Sequence, residues 1–224
     1  MSLTLISATP SPFARINRIA LLEKDIPFTL QTEIPWHVSE TQTPKHNPLE
    51  KLPVLLFPDG RKPVYDSAHI QNYIVLKYAD KGPKLITGDM DTDLELQQIQ
   101  VLSEGVMDAL VLGFWEVGRG EGKSQPWLER QMRKVHGGLK AMDELAKNKP
   151  KDATFLYNDT MTIADIAIGS TCGFVQHIAN QGGFEKDWEK KYGNLAGYWR
   201  KLEELDSFKN TVPVNFDLKA DEVV

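Results

Sequence analysis

A change of hydrophobic period near residues 83–91 limits this 224-residue chain more than any other feature. Before it, short alternating or continuous apolar runs are interleaved with helical ones. After it, apolar residues recur only at spacings of three and four. A chain patterned in this way predicts an α/β domain followed by an all-α one, with boundaries near 1–82 and 90–224.

In the first part, residues 3–8 alternate and predict a strand. Ser11-Pro12 then opens a helix, since serine is a good N-cap and proline suits the first helical position. Phe13, Ile16, Ile19 and Ala20 keep the helical spacing, and Asp25-Ile26-Pro27 ends it. Phe28 to Thr32 predicts a second strand. Pro35 to Pro53 holds four prolines and little periodicity and is expected to be mostly irregular. Val54 to Phe57 predicts a strand, Asp59-Gly60 a hairpin turn, and Pro63 to Tyr65 the return strand. Ile70, Tyr73, Ile74 and Tyr78 indicate a helix that stops before Gly82-Pro83.

In the second part, Leu102, Val106, Leu110, Gly113, Phe114 and Val117 predict a helix of roughly 25 residues, about 40 Å long at ~1.5 Å per residue. Residues 118–122, GRGEG, break it. A second long helix is expected from about Pro126, with Leu128, Met132, Val135, Leu139, Met142 and Leu145 on one face. Another is expected from Thr162 and a further one over Gly193 to Leu205. After Pro213 the pattern is weak and part of the tail is expected to be loose.

Composition removes several classes of function. A net charge of −5, from 26 Lys+Arg against 31 Asp+Glu, argues against a nonspecific nucleic-acid binder. No apolar run approaches the roughly 18 residues that a membrane span requires. Residues 1–15 lack the basic and apolar regions of a secretory leader. With one cysteine, Cys172, there is no internal disulfide framework and no cysteine-rich zinc site. That usage fits a reducing, cytoplasmic setting. The five histidines show no metal-ligand spacing, so no metal site is expected. The GRGEG run follows no strand and does not read as a phosphate loop. Cys172, beside Gly173 and Phe174, reads as a small core residue.

The segments that could carry chemistry each also have a purely structural role. Ser11 lies where a strand gives way to a helix, so its hydroxyl can cap the helix or, with the helix dipole, face an anion. Leu52-Pro53 leads into a strand; a cis bond there would turn the Leu52 backbone outward to pair with an extended peptide. Asp66-Ser67 caps the next helix and can receive a carboxylate on its N–H groups and the Ser67 hydroxyl, with Asp66 facing an ammonium group. Thr162-Ile163-Ala164-Asp165 is a capping box with a structural role.

In order and spacing, SPFARINRIALLEKDIPF, NPLEKLPVLLFPDG, YDSAHIQNYI and TIADIAI resemble the cytosolic glutathione transferase family. The closest likeness is to its serine-type members, plant tau-like and bacterial or fungal. The resemblance covers nearly the whole chain and implies a thioredoxin-like domain followed by a helical domain. It further implies a cytoplasmic detoxifying homodimer that uses glutathione as cosubstrate without a bound cofactor. It assigns Ser11 to the glutathione sulfur and Lys51 to the glycine carboxylate. Leu52 falls to the cysteinyl backbone, Pro53 to the cis-proline, and Asp66 and Ser67 to the γ-glutamyl end. Here Asp66 stands where glutamate is commoner, one methylene shorter. His37 is the candidate for a further basic residue, and Thr9 is an alternative hydroxyl for the sulfur. An apolar electrophile, held between the domains, is expected against Phe13, Met107, Leu110, Val111, Phe114 and Trp115.

The implied chemistry is conjugation of a glutathione thiolate to apolar electrophiles. The alternatives are peroxidase, isomerase or dehalogenase activity on the same scaffold, or a non-catalytic binding protein. A free thiol has a pKa of ~8.5, and lowering it by two units takes roughly 2.7 kcal/mol of preference for the anion. A helix N-terminus supplies ~0.3–1 kcal/mol, up to ~2 when partly buried, and one charge-assisted hydrogen bond roughly 1.5–3 kcal/mol. On this arithmetic Ser11 acts as a donor to sulfur, and no general base is needed.

Overall fold

The computed structural model describes residues 2–35, 41–157 and 159–215 and the backbone of 222–223. It divides into two compact units, 1–84 with 209–224, and 85–208. The sequence pattern instead places residues 209–224 with the helical part, whereas their contacts lie with the first unit.

The first unit is built on a sheet of order β3-β1-β2-β4. Strand β1 (Leu3–Ser7) leads into α1 (Pro12–Glu23), and β2 (Phe28–Thr32) returns parallel to β1. Thus β1-α1-β2 is a parallel crossover of the kind that requires an intervening helix. After a one-turn helix α2 (Thr43–His46), β3 (Val54–Leu56) pairs antiparallel with β1, with Ile6 opposite Val54. Helix α3 (Ser67–Lys77) follows. Leu5 and Ile6 of β1, Ile16 and Ile19 of α1, Val54 and Leu55 of β3 and Ile70 and Ile74 of α3 are all fully buried. They form the core under which the sheet and its helices pack.

Three segments gain detail over the sequence expectation. The return strand over Pro63 to Tyr65 shrinks to one bridge at Val64, which exchanges both hydrogen bonds with Leu55 at 2.8 and 3.0 Å. Pro63 has no N–H with which to extend a ladder. The segment Pro35 to Pro53, expected to be mostly irregular, contains among its described residues the one-turn α2. Within the tail, part of which was expected to be loose, residues 222–223 form β4 (Glu222–Val223), antiparallel to β2 with Thr29 opposite Val223.

The second unit is helical. Its long members are α4 (Met90–Gly118), α5 (Gln125–Asn148) and α6 (Ile163–Asn180), followed by α7 (Trp188–Lys191), α8 (Gly193–Leu202) and α9 (Asp206–Lys209), whose last residue belongs to the first unit. The GRGEG break is a turn of 3-10 helix over Gly120–Gly122. Helices α4 and α5 approach closely at Gly138, where a Cβ would lie 2.1 Å from Val106 Cγ2. Fifteen of the 18 residues of α6 are buried, Cys172 among them, as a helix apolar on all sides requires.

The start of α6 shows why Asp165 is structural. Its carboxylate is fully buried and accepts from the Thr162 N–H and hydroxyl, both at 2.6 Å, the Leu156 N–H at 2.9 Å, and the Tyr198 hydroxyl. Burial pushes its pKa up, and these donors oppose that shift. Burial and the adjacent carboxylate push the Tyr198 hydroxyl upward too, so it remains a donor.

Candidate functional site

The residues expected to act together come from the ends of three elements in the first unit. Ser11 is the N-cap of α1, in extended backbone at φ −69° and ψ 115°, and half-buried. Its Oγ accepts from the Ala14 N–H at 3.2 Å. A serine hydroxyl carries one proton and can accept and donate at once. Among the described residues no acceptor takes the Ser11 proton, so it is left for an anion beyond the helix end. The first turn of α1 contains no acidic side chain, and the positive end of its dipole is therefore not neutralised from within the helix. Thr9 differs. Its hydroxyl donates to the Asn215 carbonyl at 3.0 Å, which commits its proton to the main chain.

The second element is the entry to β3. The Leu52–Pro53 peptide is cis. Leu52 and Pro53 immediately precede Val54, which pairs with Ile6 one residue before the end of β1. Neither the Leu52 N–H nor its C=O is hydrogen-bonded within the described residues. This leaves an open backbone edge beside the end of β1. Lys51, just before it, has an exposed side chain.

The third is the start of α3. Asp66 is exposed and caps the helix, with Oδ1 accepting from the Ala68 N–H at 3.0 Å and the His69 N–H at 3.5 Å. The Tyr65–Asp66 peptide is cis as well. Ser67 is 2% exposed. Its carbonyl accepts from Asn17 Nδ2 at 2.9 Å, so fully buried Asn17 ties α3 to α1 below Ser11.

The residues expected at the electrophile separate by burial. Met107 and Leu110 are 0% and 1% exposed and present no surface to a ligand. They sit on the inward stripe of α4, where the same spacing that suggested a lining serves the core. Phe13, Val111 and Phe114 are half-buried, and Trp115 is exposed with its ring edge-on to Phe114 at 6.0 Å. His37 lies outside the described residues. Among those residues no cluster of histidine, cysteine and carboxylate could hold a metal ion, and no helix is long and apolar enough to cross a membrane. An open groove on the helical unit, lined by Ile99, Leu145, Leu156 and Tyr157 among others, includes none of the site residues.

Three polar residues near the site had not been singled out from the sequence: Asn17, Glu33 and Asn47. Asn47 carried a local signal, because Asn-Pro favours a turn. Asn17 and Glu33 are polar groups whose partners lie in other elements, which no local pattern encodes.

Comparison with known proteins gives this geometry a family. Residues 10–75 match the sequence profile of the glutathione S-transferase N-terminal domain, and residues 125–200 that of the C-terminal domain. The uncharacterized GST-like protein YibF of Escherichia coli is 32% identical over 210 residues, 93% of this chain and 98% of that protein. The chain belongs to the glutathione S-transferase family. Two solved glutathione S-transferases share its architecture along nearly their full length. The one from Methylobacterium radiotolerans, in complex with glutathione sulfonate, has a TM-score of 0.86 at 43% identity over 98% of this chain and 99% of its own. That from Methylobacillus flagellatus, with glutathione bound, has a TM-score of 0.83 at 31% identity over 95% and 100%. The α/β unit with the family's N-terminal profile is thus the thioredoxin-like one, and the helical unit carries the C-terminal profile.

Proposed function

We propose that this glutathione S-transferase family member binds glutathione along the first unit and conjugates its thiolate to apolar electrophiles. The reading rests on the uncommitted proton of Ser11. It lies at the positive end of α1, in the same unit as the open backbone edge at Leu52 and the capped start of α3. A negatively charged sulfur suits that position: the dipole contributes ~0.3–1 kcal/mol and the hydroxyl roughly 1.5–3 kcal/mol toward the anion. The bond from the Ala14 N–H uses one lone pair of the Ser11 oxygen and leaves its proton available to donate to an anion. The nucleophile is then the sulfur of glutathione, with serine stabilising its anion.

In this reading the cysteinyl main chain pairs with Leu52 beside Pro53. The glycine carboxylate is met by Lys51, and the γ-glutamyl end by Ser67 and Asp66. Only one oxygen of Asp66 is occupied by the cap, which leaves the other for the ammonium group. For the electrophile, Phe13 is the apolar candidate in the first unit, and Val111, Phe114 and Trp115 are those in the second. Homodimerisation and a cytoplasmic location belong to the same proposal.

The test is a panel assay of purified protein and glutathione. An aryl halide and an unsaturated ketone report conjugation by thioether formation, and an organic hydroperoxide reports peroxidase activity. Thioether formation that saturates with glutathione and falls in Ser11→Ala is expected. Hydroperoxide turnover without thioether formation would replace conjugation with the peroxidase reading.

A further inference from the structure

Glu33 is a buried carboxylate, 5% exposed, just past the end of β2, and the chemistry proposed above does not use it directly. Both of its oxygens are occupied. Oε1 accepts from the Gln31 side-chain amide at 2.6 Å and from the Gln42 N–H at 2.8 Å. Oε2 accepts from the Thr43 N–H at 3.0 Å and the Thr43 hydroxyl at 2.6 Å. Its own N–H donates to the Ser7 carbonyl at 2.8 Å, which locks it to the end of β1. Gln42, the N-cap of α2, makes no side-chain capping bond. Glu33 therefore supplies the cap for α2 from another part of the chain, satisfying amides that a helix start otherwise leaves open.

Helix α2 passes this anchoring on. The Thr43 carbonyl accepts from the Asn47 N–H at 2.9 Å, and buried Asn47 donates from Nδ2 to the Lys51 carbonyl at 2.7 Å. Asn47 Oδ1 accepts from the Leu49 N–H at 3.0 Å, which holds the turn between them. A continuous set of hydrogen bonds thus runs from the end of β1 through Glu33, Thr43 and Asn47 to the backbone of Lys51. That backbone carries the cation assigned above to the glycine carboxylate.

We propose that Glu33 is a positioning residue for the glycyl end of glutathione, acting through α2 and Asn47 on Lys51; this rests on the glutathione reading. Glu33→Gln replaces one acceptor oxygen with an NH₂ group that faces existing donors. Its effect is read by calorimetry on two ligands, glutathione and γ-glutamylcysteine, which lacks the glycine. Glutathione should bind roughly tenfold more weakly, the lower end of what one charge-assisted hydrogen bond contributes. Affinity for γ-glutamylcysteine should remain within about twofold. In turnover the loss should fall on KM for glutathione, with kcat at saturation preserved. Thr43→Val keeps the carboxylate and removes one donor, so it gives a smaller loss of the same kind even where Glu33→Gln does not fold. An equal loss on both ligands, or none on either, in whichever of these variants folds overturns the positioning role while leaving the glutathione site intact. Failure of wild-type protein to bind either ligand overturns the glutathione reading, and the positioning role with it.

Discussion

Replacing Ser11 with alanine removes two interactions that different measurements can separate. The first is internal: the Ala14 N–H loses its acceptor at 3.2 Å. Loss of a serine N-cap costs ~0.5–2 kcal/mol, a fall in Tm of a few degrees for a chain of this size. The second is external, the hydrogen bond to a bound thiolate, estimated at roughly 1.5–3 kcal/mol. At 1.36 kcal/mol per pKa unit it corresponds to a rise of about one to two units in the thiol pKa of bound glutathione. The thiolate fraction near neutral pH then falls roughly three- to twenty-fivefold, and kcat/KM should fall with it. Affinity measured well below both pKa values, where the thiol is protonated in either protein, should change little. The assay is an ultraviolet titration of the thiolate in the enzyme–glutathione complex, paired with the pH profile of conjugation. Ser11→Thr retains a hydroxyl and should keep most of the shift. An unchanged thiol pKa in Ser11→Ala, alongside the expected loss of stability, would reduce Ser11 to a cap and refute the role assigned to its proton.

Other outcomes follow from the same geometry. Ser67→Ala should weaken glutathione binding by about 1–3 kcal/mol with little change in kcat, measured by calorimetry and steady-state kinetics. Asp165→Ala should cost more than the ~0.5–2 kcal/mol of a cap alone, because buried donors on Leu156, Thr162 and Tyr198 lose their acceptor, at about 1–3 kcal/mol for a donor left unsatisfied. Denaturant unfolding measures that cost, and glutathione affinity of the folded fraction should be unchanged. Burial holds His136 below the ordinary histidine range, despite the opposing pull of Glu185. The unfolded chain therefore takes up the proton first. This contribution to stability is constant above about pH 6.5 and declines as the pH falls below it. His136→Gln should flatten that part of the stability–pH curve in urea titrations.

The parts of the fold legible in the sequence are those whose cause is local. Ser11-Pro12, the Asp66 cap and the Thr162–Asp165 box are short-range hydrogen-bond patterns, and each starts a helix where expected. The long apolar stripes of α4 and α5 were legible for the same reason. Helix α2 was not, because its cap is Glu33, ten residues back in sequence and reached across the fold. Strand β4 was not, because two residues with no alternation of their own are held by pairing with Thr29 and Leu30. At the candidate site, Ser11, Lys51, Leu52, Pro53, Asp66 and Ser67 could be named from their motifs. Asn17 could not, since a lone asparagine on an apolar helix face does not reveal that its partner is the Ser67 carbonyl. The apolar stripe of α4 misled at Met107 and Leu110, because periodicity identifies an inward face without saying whether protein or ligand fills it.

Because β4 lies on the outer edge of β2, the first unit is assembled from both ends of the chain. During synthesis, β1 to α3 emerge long before the residues that cover that edge. Until then the row of main-chain groups on β2 is open, the arrangement through which strands of separate molecules associate. The helical unit is made in this interval. A fragment ending at Lys84 would retain the residues around Ser11, Leu52 and Ser67. It would lack the covering strand and the Thr211 hydroxyl that buried Arg15 contacts at 3.2 Å. Such a fragment should therefore self-associate where the full chain does not do so through this edge. On this order of synthesis β4 is a late closing strand for the first unit.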